Sequence, residues 1–201
     1  MSLFDEIPGL AAAVDRESAV RELSLLDTII LCGIPCRQLS IRTHTLLTGM
    51  KSPVLVRVTA PKWEDLAVYL WMHCLEYEAG NEKRRQRWVR RNVSPLVKAG
   101  RYAQALGEID LHIENTFMDS PGAGRYDGKQ YFLGSAALVD SVAAEYGWTD
   151  DYIMALPIGR LFQYQRAMRR RYDPKAPLSN PSDRLLSQYM IERMRQAQPT
   201  N

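Results

Sequence analysis

The 201-residue sequence predicts a mainly α, single-domain, bundle-like fold, with room for one short β element and a flexible C-terminal tail. Three observations carry that expectation. Apolar residues recur every three or four positions, which lays one apolar stripe along each helix. Ser, Thr or Asn precedes several of these stretches and Gly follows them, as helix caps do. The composition, 46% hydrophobic and 24% charged, is that of an ordinary globular chain and excludes disorder for the bulk of it.

Taken in order, residues 1–14 read as an N-terminal arm, 15–172 as the helical domain, and 173–201 as a Pro-rich linker with a C-terminal helix. Residues 15–35 carry Leu23, Leu25, Leu26, Ile29, Ile30 and Leu31 and read as a buried segment, although so short an apolar run fits helix or strand. Ser40 caps a short helix through Leu47, with Gly49 at its end. Pro53–Val58 alternates β-branched residues and predicts a short strand. Trp63, Leu66, Ala67, Leu70, Trp71 and Cys74 form one stripe and predict a helix over 60–79, capped by Thr59, stapled by Val58 against Trp63 and ended by Gly80. Asn81 opens a basic helix that stops near Pro95. Further helices are predicted over 101–117, from Ser135 to Gly147, and from Thr149 through Met168 with a kink or break at Pro157. The Gly- and Pro-rich stretch 119–131 reads as an exposed loop, and Ser182 as the cap of a short final helix.

Several function classes lose support here. No apolar run approaches the ~18 residues of a membrane span. The start, Met1-Ser-Leu-Phe-Asp-Glu, does not read as a signal peptide, so a cytoplasmic protein without membrane contact is expected. Cys32, Cys36 and Cys74 read as buried free thiols of a reducing compartment. Their spacing relative to His73 makes no metal motif, and no cofactor is expected. Glu108, Asp110, His112 and Glu114 read as a solvated helix face with a single Glu-x-x-x-His, short of the paired motifs of a di-iron bundle. Gly122, Gly124 and Gly128 miss the dinucleotide fingerprint in spacing and in the strand that should precede it. Nothing in the sequence supports an enzyme, and a binding protein is expected.

The net charge of +3 decides little, but its distribution is uneven. Lys83, Arg84, Arg85, Arg87, Arg90 and Arg91 fall within nine residues that contain no acid. On a helix Arg84, Arg87 and Arg91 form one stripe, with Trp88 among them. Such a face grips a phosphate backbone and stacks a base on the indole, or else meets an acidic protein; a solvated face with Trp88 turned into the core is the plainer alternative. A second basic run spans Arg166 to Arg171.

Two stretches resemble the tail assembly chaperones of long-tailed bacteriophages. The first is Ile41-Arg-Thr-His-Thr-Leu-Leu-Thr-Gly-Met-Lys-Ser-Pro-Val-Leu55 followed by Lys62-Trp-Glu-Asp-Leu-Ala-Val-Tyr-Leu-Trp71. The second is Tyr146-Gly-Trp-Thr-Asp-Asp-Tyr-Ile-Met-Ala-Leu-Pro157 followed by Arg160-Leu-Phe-Gln-Tyr164. Together they cover about a third of the chain in matching order; the basic segment and the glycine loop lie outside the pattern. The resemblance implies a helical chaperone that covers apolar seams of a tape-measure protein during tail building, gives way to tail-tube subunits, and self-associates. Trp71, Trp148, Tyr152 and Phe162 are the expected groove-lining residues, with core packing as the alternative for each. A nucleic-acid-binding protein using Arg84, Arg87, Trp88 and Arg91, and a structural adaptor of a virion or another large assembly, are the competing expectations.

Overall fold

The computed structural model describes residues 6–56, 59–120, 134–174 and 181–197. Helices dominate them, and the one sheet among them has two strands. The fold is mainly α, as the apolar periodicity predicts.

Helix α1 (Leu10–Ser24) begins inside the stretch read as an arm. Leu10-Ala-Ala-Ala-Val14 has high helix propensity, and Ile7 and Leu10 are buried, so this part of the chain is folded in. A hairpin follows, β1 (Thr28–Leu31) against β2 (Ile34–Arg37), with Leu31 opposite Ile34. Its two-residue turn places Cys32 at φ +55° and Gly33 at φ +78°, the paired left-handed conformation that suits strand twist. The sequence lacks the Asn-Gly signal for such a turn. A tertiary contact substitutes for it: the Cys32 backbone N–H donates to Glu108 Oε2 at 2.6 Å.

Ser40 caps α2 (Ile41–Gly49) as expected, its Oγ accepting from the Thr43 N–H at 3.2 Å. The strand expected at Pro53–Val58 is instead a helical turn, α3 (Pro53–Val56). Proline cannot donate to a ladder but is pre-set for the first position of a helix, and the Ser52 carbonyl accepts from Leu55 and Val56. The staple with Val58 lies outside the described residues.

Helix α4 (Trp63–His73) starts where Asp65 Oδ2 accepts from the Lys62 N–H at 2.7 Å; Thr59 is not its cap. It ends at Cys74 and not at Gly80. Cys74 turns extended and forms an isolated β-bridge to Cys36, so a tertiary pairing outcompetes the last helical turns. Leu66, Ala67 and every residue from Tyr69 to His73 are buried, which makes α4 the central element. Helix α5 (Glu82–Asn92) opens on Asn81, whose Oδ1 accepts from the Arg84 N–H at 3.0 Å. Pro95 does not end the helical path. It sits in the first turn of α6 (Ser94–Lys98), which continues α5 through Val93 N–H to Val89 O and Val97 N–H to Val93 O.

Helix α7 (Tyr102–Thr116) crosses α4 and β1. The glycines of the expected 119–131 loop lie outside the described residues. Helix α8 (Gly134–Tyr146) begins one residue before Ser135 and stops at Gly147, φ +65°. Thr149 caps α9 (Asp150–Ala155), and Pro157 divides it from α10 (Ile158–Tyr172). The break is used: Pro157 bridges Ser40, and the Ile158 N–H donates to Leu39 O at 2.9 Å. The last helix, α11 (Pro181–Ala197), is longer than expected and lies along α1.

Polar chemistry ties α1, α10 and the end of α7 together. Asp119, whose side chain is only 5% exposed, accepts from Arg21 through both oxygens at 2.9 Å and from Arg166 at 3.0 Å. Arg21 also pairs with the buried Glu17 at 3.2 Å, and Glu17 accepts the backbone N–H and the hydroxyl of Ser182 at the head of α11. Hydrogen bonding to Asp119 is the largest reason the Arg21 pKa is raised. Removing the acid would leave two arginines without their shared partner. Asp119→Ala is therefore expected to cost about 2–3 kcal/mol in urea denaturation, below the ~3–5 of a fully buried pair because both arginines keep some water.

Candidate functional site

Some of the exposed apolar side chains gather in one groove. Leu23 and Leu26 at the end of α1, Ile30 on β1 and Leu111 on α7 are 48%, 50%, 65% and 50% exposed, and all four line a groove of about 450 Å³. Its floor is Val20, Leu31, His112 and Thr116. The segment 15–35 is therefore not buried throughout. Strand alternation turns Ile29 and Leu31 inward and leaves Thr28 and Ile30 outside. Glu108 and Gln38 hold the groove in shape, Glu108 through the Cys32 turn and Gln38 by donating to Leu26 O at 2.9 Å. An apolar patch of this kind, walled by two helices and a strand, is a feature of interaction sites.

The expected groove residues fall in two different places. Trp71 is 4% exposed and packs on Trp88 and Tyr77, with ring centroids 5.5 and 5.6 Å away. Phe162 is buried and packs on Phe117 at 6.2 Å. Both are core. Trp148 and Tyr152 stand together near the surface: Trp148 stacks on Tyr146 at 4.9 Å and meets Tyr152 and Tyr164 edge-on, each at 5.3 Å. None of the four lines the groove of α1, β1 and α7.

Trp88 is 2% exposed and turned against Trp71, so it cannot stack on a base; the plainer alternative for this indole holds. Its neighbours are partly neutralised. Arg84 pairs with Glu78 at 2.8 Å, Arg85 with Glu82 at 2.8 Å, and Arg91 with Glu76. The acids come from the loop before α5 and from its first turn, outside the nine-residue run. In the second basic run, Arg166 serves Asp119 and Arg171 pairs with Glu145.

The interior holds an unexpected polar cluster. His73 is fully buried, and His112, expected on a solvated face, is buried as well. The Tyr69 ring stacks on His73 at 4.2 Å, and His112 meets His73 edge-on at 6.0 Å. His73 Nδ1 lies 2.7 Å from the Tyr69 carbonyl and donates to it, since that oxygen can only accept. Tyr69 Oη, His73 Nε2 and His112 Nε2 are buried without a hydrogen-bond partner. Burial lowers His73 to about 4 and His112 to about 3. All three cysteines are buried free thiols, and burial pushes Cys32 and Cys36 up to about 12. Among the described residues no three His, Cys, Asp or Glu side chains converge as metal ligands, and no helix is long and apolar enough to cross a membrane.

The chain matches no protein-family model, no curated protein and no solved structure.

The histidine cluster sets an acid limit on the fold. In the unfolded chain both imidazoles take a proton near pH 6.5, whereas the folded chain resists until about 4 and about 3. Stability is therefore full above pH 6.5 and falls as pH drops towards 4, by up to about 2.7 kcal/mol per pH unit when two protons are involved. Urea titrations across that window are expected to show this slope. His73→Leu or His112→Leu should each remove about half of it.

Proposed function

We propose that this chain is a non-enzymatic, protein-binding chaperone of the phage tail-assembly type, which holds an apolar helical segment of a tape-measure protein in the groove formed by α1, β1 and α7. The observation that carries the reading is the grouping of Leu23, Leu26, Ile30 and Leu111 in one concave surface. An amphipathic helix laid there would cover its own apolar stripe, which would otherwise drive aggregation. Water release from such side chains supplies the attraction, about 1.5–3 kcal/mol for each one fully buried, less the ordering costs of association. Binding of this kind remains reversible, as handing over to tail-tube subunits requires.

The two stretches that carry the family resemblance add support, because they pack on each other. Residues 41–55 form α2 and α3, residues 146–164 run from the end of α8 into α10, and Arg42 pairs with Asp151 at 2.8 Å across the contact between α2 and α9. Residues far apart in sequence thus build one unit. Self-association and a site in the host cytoplasm belong to the same proposal. A nucleic-acid role through Arg84, Arg87, Trp88 and Arg91 is disfavoured by the burial of the indole and by the acids already paired with Arg84 and Arg91.

Co-expression provides the test. The chain is expected to keep an otherwise insoluble tape-measure segment in the soluble fraction and to be missing from finished particles. The pair Leu26→Glu and Ile30→Glu alters only exposed positions, so helix content and melting temperature should hold while solubilisation is lost. Undiminished solubilisation by that variant would remove the groove from the account.

A further inference from the structure

A second groove shares no lining residue with the first and carries cationic side chains, which the first lacks. It runs between α4 and the continuous α5–α6 path, with a volume of about 480 Å³. Val68 on α4 and Val89, Val93 and Val97 on α5–α6 give it an apolar floor, and Val97 is 41% exposed. Residues 85 to 97 line its length, roughly 18 Å at 1.5 Å per residue, about three turns of a facing helix.

Charge along its rim is sorted. Arg84 and Arg91 project to the opposite flank of α5, where Glu78 and Glu76 neutralise them. Lys83, Arg87 and Arg90 recur at i, i+4 and i+7, one stripe on the exposed face, and none of them has an ion pair among the described residues. Arg90 ends that stripe at the groove wall itself. Across the groove the rim belongs to α4 and carries the exposed acid Glu64. The surface is thus an apolar floor with Arg90 on its wall, Lys83 and Arg87 continuing that stripe along α5 beyond the lining, Arg85 held by Glu82, and Glu64 opposite.

We propose that this groove docks an amphipathic helix of a partner protein, with its apolar stripe on Val89, Val93 and Val97 and a row of Asp or Glu facing Lys83, Arg87 and Arg90. The sorted rim also fixes the direction of the helix, since a reversed ligand would bring its acids to Glu64. A polyanion would use the cations but leave the valine floor uncovered. The surface is separate from the groove of α1, β1 and α7, and the proposal stands whether or not that groove holds a tape-measure segment.

The test uses the full chain and a fluorescent synthetic helix of about 18 residues, long enough to be helical in solution, with leucines at i, i+3, i+4 and i+7 and glutamates along one flank. Anisotropy titration is expected to give a micromolar dissociation constant. A peptide with Gln in place of Glu should bind about tenfold more weakly, and the chain with Arg87→Glu and Arg90→Glu should lose at least about tenfold. Val97→Glu should weaken the acidic peptide too, which a purely electrostatic surface would not show. Because the other groove also offers apolar side chains to such a peptide, the titrations are run in the Leu26→Glu and Ile30→Glu background, where the effects of the Arg87, Arg90 and Val97 changes should persist. Equal affinity for the two peptides, indifference to these substitutions or no peptide binding would overturn the proposal. So would tighter binding of a single-stranded oligonucleotide that the same arginine changes abolish.

Discussion

A helix buried on nearly every side has to be enclosed by whatever the rest of the chain can bring to it, and α4 is that helix. Its buried residues run without interruption from Tyr69 to Cys74, so no single partner face suffices. The chain answers with α3 and α5 from its own neighbourhood, β2 from upstream and α7 from downstream. The hairpin is needed because Cys36 caps the end of α4 through Cys74. Helix α7 is needed because it brings Glu108 to the hairpin turn and His112 to the Tyr69 and His73 rings. Both grooves lie at the edge of this packing, where an element that covers the core cannot also cover itself.

Enclosing α4 has a polar cost. A tyrosine and two histidines sit where an all-apolar stripe would be more stable, and three of their polar atoms are left without protein partners. The fold bears this because the surrounding leucines, isoleucines and valines are closely packed, and because the two imidazoles stay neutral at ordinary pH. The ionic node at Asp119 follows the opposite rule: it is charged, but nearly every oxygen and guanidinium it involves has a partner. That node works as a fastening between α1, α10 and the residues after α7.

Local signals made much of the fold legible. Ser40, Asn81 and Thr149 cap helices where their side chains can reach a free N–H, and Pro157 divides a helix where its ring forbids continuation. What escaped the sequence depends on residues far apart in the chain. The hairpin turn at Cys32 and Gly33 needs Glu108, the end of α4 needs Cys36, and α1 is ordered by contacts with α10 and α11. The site was harder still. Leucine and isoleucine look alike in a sequence whether they fill a core or wait for a partner, so Leu23, Leu26 and Ile30 read as buried, and Trp71, Trp88 and Phe162 gave no sign of which way they would turn. For the basic run, the pairing acids Glu76 and Glu78 lie just before it, and that proximity was the available hint.

The three thiols have a use that does not depend on any partner. Each is enclosed, and burial raises the pKa of all three, so a maleimide or iodoacetamide in the surrounding solution finds almost no thiolate to attack while the chain is intact. Cys32 sits at the hairpin tip, and Cys36 and Cys74 form the joint between hairpin and central helix, so the first to be alkylated tells which of these two places opened. The protein carries its own chemical recorder of how it comes apart.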